Sequence, residues 1–320
     1  MANPQPFLLH VTRDEVHLQY QFKPNMDEKL FLKALGKLWE SKITGINDPT
    51  LNDHHESAGG SSIAVVGFKP EFWRQLTQGD LPDNLNSFAQ DLEGINGKAM
   101  PAAQLDFWLW FSQANASALF DSLYEINKLL RPFVDLVSQT TCFQYYNGVT
   151  FDGFADGIAN PNPFRAIDLT VIPDSEKGAG GTTVLLQKYS MQVEALRGLP
   201  VHCAEAMYGR TKAGGHQLSP MPDDSHVKRS KVYRHGEEID IVRRNANYTE
   251  TDSSGIMFVG ISKDISVPME MLKQMIGIGL DGVKKTDKLL DFSTALSSAI
   301  YFVPSIEALM SVGVLPQDAA

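Results

Sequence analysis

Leu105-Asp106-Phe107-Trp108-Leu109-Trp110-Phe111, and the helical run that begins at Asn115, decide the fold. In the first stretch Leu105, Phe107, Leu109 and Phe111 share one face of a strand, while Trp108 and Trp110 share the other, because successive strand side chains alternate sides. Apolar residues on both faces predict a strand covered on both sides. From Asn115 the period changes. Leu119, Leu123, Ile126, Leu130 and Phe133 follow a helical stripe, and Asn115 is placed to cap it.

Working outward, the same alternation recurs. His17 to Phe22 predicts a strand, Met26 to about Lys42 a helix, and Ile63 to Phe68 a strand, with Pro70 opening a further helix. Between them lies a polar, Gly-rich loop, Asn47 to Ser62. Beyond the turn Gly178-Ala179-Gly180-Gly181, strands are expected at Thr182–Tyr189, Ile239–Arg243, Gly255–Ser262 and Ser298–Val303, with helices at Pro268–Ile278 and Ser305–Met310. The connections are mixed rather than regular βαβ units. An α+β class with largely antiparallel sheets follows, in two halves, 1–147 and 148–320, that meet near residues 145–160.

The formal net charge of -10 argues against a general nucleic-acid binder, which needs a basic footprint to release counterions. The first residues lack a charged leader with an apolar core, and no apolar run approaches a membrane span. The expected location is the cytoplasm, without membrane attachment. Cys142 and Cys203 stand apart from other metal-ligand residues and are expected to be buried, reduced thiols.

No phosphate loop, strand-linked GxGxxG, HExxH, paired CxxC or GxSxG elbow occurs. His54 and His55 read as a solvated loop pair, and His10, His17, His202, His216 and His235 as structural or surface residues. Trp108 and Trp110 read as core, with a relay of electrons as the lesser reading. Three segments remain. Gly153-Phe154-Ala155-Asp156-Gly157 surrounds an acid with glycine and apolar residues; composition alone reads it as a turn. Asp224-Ser225-His226-Val227-Lys228-Arg229 reads as an exposed polar stretch. Ile239-Asp240-Ile241-Val242-Arg243-Arg244-Asn245 runs a strand into paired arginines, either a solvated strand end or a clamp for an anion.

Taken together and in this order, the segments resemble the dye-decolourising peroxidases, in their compact bacterial branch. Gly153–Gly157 is similar to that family's GxxDG signature, continued by Asn160-Pro161. Leu185–Tyr189, Gly209-Arg210-Thr211-Lys212, Ser225–Arg229, Ile241-Val242-Arg243, Gly255–Phe258, Asp287 with Phe292, and Tyr301–Ser305 complete the pattern. The resemblance implies two ferredoxin-like halves with haem b held in the C-terminal one. It implies His226 as the proximal iron ligand, steadied through its other ring nitrogen by Asp287. On the distal side it implies Asp156 taking a proton from hydrogen peroxide and returning it to the departing oxygen, while Arg243 stabilises developing negative charge. Asn245 shares the strand face of Arg243; Phe154, Ile158, Ile256 and Phe258 are the expected walls of the pocket. The implied activity is oxidation of phenolic or dye-like small aromatic donors by hydrogen peroxide, in a homodimer or higher homo-oligomer. The alternative on the same scaffold is a haem-handling, iron-releasing protein. Ala159 stands where many members carry glutamate, and Asn247 where proline is common. The end at Leu315–Ala320 shows no encapsulin-targeting tail.

Overall fold

The computed structural model describes residues 2–8, 14–40, 63–113, 116–146 and 148–315. Eight of its strands close into one barrel. In chain order they are β1 (Asp14–Phe22), β2 (Ile63–Phe68), β3 (Phe107–Gln113), β4 (Val134–Phe143), β5 (Thr182–Met191), β6 (Val242–Thr249), β7 (Ser254–Ser262) and β8 (Ser293–Val303). Around the barrel they run β1-β3-β2-β8-β5-β7-β6-β4, and all neighbours are antiparallel.

That circuit contains one pattern twice. The sheet β4-β1-β3-β2 and the sheet β8-β5-β7-β6 each place their fourth, first, third and second strands side by side. Helices α1 (Glu28–Glu40) and α2 (Ala116–Leu130) make the two crossovers of the first sheet. In the second, the long β5–β6 crossover contains α3 (Val201–Tyr208) and α4 (His226–Arg229), and α5 (Ser266–Met275) joins β7 to β8. The α+β architecture with two ferredoxin-like antiparallel halves is as expected. The halves are fused edge to edge, which the sequence does not reveal: β2 meets β8 at Phe68 and Phe302, and β4 meets β6 at Cys142–Tyr248 and Phe143–Asn247.

Strand alternation sorts the core into two layers. Phe107, Leu109 and Phe111 pack outward beneath the helices with Val66, Phe68, Phe31, Leu119, Ile126 and Leu130, whereas Trp108 and Trp110 turn inward with Val65, Leu186, Val259 and Tyr301. The doubly apolar strand is thus covered on both sides.

Several boundaries differ from expectation. Ile239 belongs to a short hairpin, Val232–Arg234 with Glu237–Ile239, and the arginine strand begins only at Val242 and runs on to Thr249. Arg243 therefore sits inside a paired strand and is no solvated strand end. The final strand begins at Ser293, and the methionine-rich helix spans Ser266–Met275. Cys142 is buried, but Cys203 is exposed on α3; both are free thiols. The expectations for His10, His54, His55, Asn115 and residues 316–320 fall outside the described residues. No helix among the described residues is long and apolar enough to cross a membrane.

Candidate active site

The outer face of β5, β6 and β7, covered by α4 and α5, walls a cavity of about 1720 Å³, counting the space that opens to solvent. Phe154, Asp156, Ile158, His226, Arg243, Asn245, Ile256 and Phe258 all line it. Asp287, the remaining expected site residue, lies just behind and touches His226.

The acid is held by a small hairpin. Val149 bridges Ala155, and the Asp156 amide donates to the Gly148 carbonyl at 3.0 Å. Gly153 and Gly157 adopt φ of 86° and 70°, left-handed conformations that glycine takes without penalty. Those two turns aim Asp156 into the cavity. Its Oδ1 accepts from its neighbour's amide, Gly157 N, at 2.7 Å and from Asn245 Nδ2 at 3.0 Å. Burial raises the Asp156 pKa; the hydrogen bonds from Asn245 and Gly157 and the charges of His226 and Arg243 oppose that rise without cancelling it.

Arg243 and Asn245 share the outward face of β6. Burial lowers the Arg243 pKa, with the carboxylates of Asp240 and Glu238 acting the other way. Its guanidinium forms no ion pair among the described residues; Nη2 lies 4.0 Å from Met271 Sδ, a long and weak contact. A second residue of the hairpin segment fixes its backbone. Asn160 donates from Nδ2 to the Arg243 carbonyl at 2.9 Å, and its Oδ1 accepts the Arg243 amide at 2.8 Å. One side-chain amide thus replaces a missing strand partner and ties the Asp156 segment to the Arg243 strand.

His226 opens the four-residue α4 and is half-buried. The segment is not the free polar stretch that its composition suggests. Arg229 is fully buried, paired with Asp281 at 2.6 Å and donating to the Gln274 carbonyl at 3.0 and 2.7 Å. The His226 Nδ1 lies 2.6 Å from Asp287 Oδ2. Asp287 is itself held: it is wholly buried, its Oδ1 accepts the Leu289 amide at 2.9 Å, and its own amide donates to Met275. With Nδ1 so occupied, Nε2 is the ring nitrogen left for the cavity.

Sequence reasoning missed Tyr208. Its ring stacks obliquely on Phe154 at 4.3 Å and meets His226 edge-on at 6.5 Å, while its hydroxyl donates to Asp152 at 3.2 Å. It braces both sides of the cavity from α3, a helix with no sequence signal pointing there. Arg210, which in the sequence belongs only to the Gly209–Lys212 loop pattern, lines the same space.

The residues present suit a haem. One imidazole nitrogen faces an apolar-walled cavity while its other nitrogen is held by a carboxylate, the usual support for a metal-bound histidine. Across that cavity the Asn245 Oδ1 is buried with no hydrogen-bond partner among the described residues, leaving a polar atom for a ligand to satisfy.

Comparison with known proteins agrees. The family model for the C-terminal part of Dyp-type peroxidases matches residues 148–308. A dye-decolorizing peroxidase of Mycobacterium tuberculosis is 30% identical over 99% of this chain and 93% of its own length. DyPB from Rhodococcus jostii RHA1 superposes with a TM-score of 0.86 at 27% identity, covering 98% of this chain and 100% of that one. A variant of the same protein in complex with heme gives a TM-score of 0.82 at 27% identity, covering 96% of this chain and 98% of that one. A cavity built from these residues, in a chain matched along nearly its whole length, assigns the protein to the Dyp-type peroxidase family.

Proposed function

We propose that in this haem peroxidase Asp156, Arg243 and Asn245 form the side of the cavity where hydrogen peroxide is cleaved, and that His226, backed by Asp287, holds the iron from the other side. The observation that carries this reading is the 2.6 Å contact between His226 Nδ1 and Asp287 Oδ2. It fixes the ring's tautomer and aims Nε2 at a cavity that Asp156 and Arg243 also enter. Haem, when bound, supplies the iron and the electron-transfer chemistry.

The chain's own residues supply proton handling and charge. Asp156 Oδ1 is occupied by two donors, so the proton from peroxide is taken and returned at Oδ2. A carboxyl pKa raised by burial brings this group closer to neutrality, where proton transfer in both directions is efficient. The Arg243 guanidinium, without a carboxylate paired to it, is available to hold negative charge on the departing oxygen. Asn245 keeps Asp156 oriented. Ile256, Phe258, Met271 and Leu272 exclude water from the cavity walls, which strengthens those electrostatic effects.

Phenolic or dye-like small aromatics are the proposed electron donors. The same reading makes the enzyme a cytoplasmic homo-oligomer, whose mass in solution light scattering would report. The decisive experiment is an absorption spectrum of the haem-loaded protein before and after one equivalent of hydrogen peroxide. A rapid change that is slowed in Asp156→Asn and Arg243→Leu supports the assignment. Haem binding without any response to peroxide would instead make the protein a haem-handling one.

A further inference from the structure

Inside the barrel lies a second set of oxidisable side chains that the cavity does not use. His17 of β1 lies beside the indoles of Trp108 and Trp110 on β3, its ring centroid 5.9 and 5.8 Å from theirs and the planes tilted by only 6° and 12°. The indoles are 6.1 Å apart, and Tyr301 of β8 stacks on Trp108 at 5.7 Å. Each indole N–H ends on a side chain able to take a proton. Trp108 Nε1 donates to His17 Nδ1 at 3.3 Å, and Trp110 Nε1 donates to Glu15 Oε2 at 2.8 Å. Trp73, by contrast, donates to the Asp80 carbonyl, which cannot be protonated at ordinary pH. His17, Trp108, Trp110 and Glu15 are all buried.

Stability does not account for this set. Apolar side chains of similar volume would fill a barrel without the desolvation of a carboxylate and an imidazole. Arg244 places the set behind the strand that carries Arg243. It follows Arg243 on β6, and alternation sends Arg243 outward and Arg244 inward, where its charge acts on Glu15.

We propose that Trp110, with Glu15 as its proton acceptor, is an internal one-electron donor that holds oxidising equivalents within the barrel when no external donor is bound. The inference rests on the haem-peroxidase reading of the cavity. One electron passes from the Trp110 indole to the haem oxidised by peroxide, which is thereby reduced by one electron. The Nε1–H bond breaks, and its proton forms an O–H bond on Glu15 Oε2. The products are a neutral indolyl radical and a neutral carboxylic acid, and return of the electron and proton restores the pair.

Charge chooses between the two indoles. At Trp110 the pair goes from one negative charge to none, which a buried site favours; at Trp108 the same step would place a positive charge on buried His17, which it disfavours. Burial lifts the Glu15 pKa to about 7 and drops that of His17 to about 3, so the carboxylate is the stronger base. Around Glu15 stand the Trp110 N–H, Arg244, and the Cys142 thiol, itself pushed up by burial.

The test is freeze-quench electron paramagnetic resonance of the haem-loaded enzyme after one equivalent of peroxide without donor, read beside its absorption spectrum. Chains carrying ring-deuterated tryptophan or ring-deuterated tyrosine identify the radical. The expected result is a neutral tryptophan radical that narrows only on tryptophan deuteration, is lost in Trp110→Phe, persists in Trp108→Phe, and is lost in Glu15→Gln. Labelled wild-type enzyme together with Glu15→Gln carries the result should Trp110→Phe fail to fold. A radical that responds to tyrosine labelling, one that survives Trp110→Phe or Glu15→Gln, or a peroxide-induced absorption change with no protein radical overturns the proposal. An absorption spectrum untouched by peroxide overturns the reading of the cavity as well, and so distinguishes the two failures.

Discussion

Asp156 has one oxygen committed and one available, and replacing the acid by its amide isolates the proton-transfer role. Asp156→Asn is expected to keep haem affinity but slow the peroxide reaction by on the order of 10²–10⁴-fold, as measured by stopped-flow absorption. Asp287→Ala removes the partner of His226 Nδ1; haem-iron affinity or activity should fall by roughly 10–100-fold, as for other partners of metal-bound histidines, and a haem titration measures it. Asn160 offers a different test, because its side chain hydrogen-bonds the Arg243 backbone at both its amide and its carbonyl rather than Asp156 itself. Asn160→Ala should reduce kcat/KM for peroxide by on the order of 10–100-fold through misplacement of Arg243, with little change in haem titration. Unchanged peroxide kinetics would show that the strand holds Arg243 unaided. This residue was visible in the sequence only as the continuation of a Gly-rich signature. Its bonding partner lies 83 positions away, and no local pattern encodes such a pairing.

Among the elements, β1 shows most clearly why sequence reading stops short. Its alternation is plain, yet Glu15, His17 and Gln19, the polar set, face the barrel interior and are buried like Val16, Leu18 and Tyr20. A lone strand with one polar face reads as half-exposed; only closure of the barrel buries both faces. A pH signature follows. Glu15 rises from 4.5 to about 7 on folding, so its contribution to stability is present below 4.5 and is lost as pH rises through about 7, by roughly 3 kcal/mol. His17 falls from 6.5 to about 3, so its contribution is present above 6.5 and lost as pH falls toward 3. The two slopes oppose each other where the windows overlap. Urea midpoints should show Glu15→Gln more stable than wild type above pH 7 but not below 4.5; equal midpoints above 7 would mean that Glu15 is not held as a costly buried charge. The strand β3 and helix α2 were legible because their periods are undisturbed. The four-residue α4 was not, because Arg229, Asp281 and Gln274 hold it through contacts 45 and 52 residues distant in the chain.

At the scale of the whole molecule, two ferredoxin-like sheets are readable from strand and helix order, whereas their union is not. The joins are short, one paired position at β2–β8 and two at β4–β6, and no composition bias marks them. Short ladders make poor protection against local opening. Amide hydrogen exchange is expected to be faster for Phe68, Phe143 and Asn247 than for the long ladder between β5 and β8, and equal protection would show that the joins are braced by more than their backbone bonds. The cavity lies on the outer face of the second sheet, so neither join has to part for the cofactor to enter. The polypeptide can therefore be finished before its prosthetic group arrives.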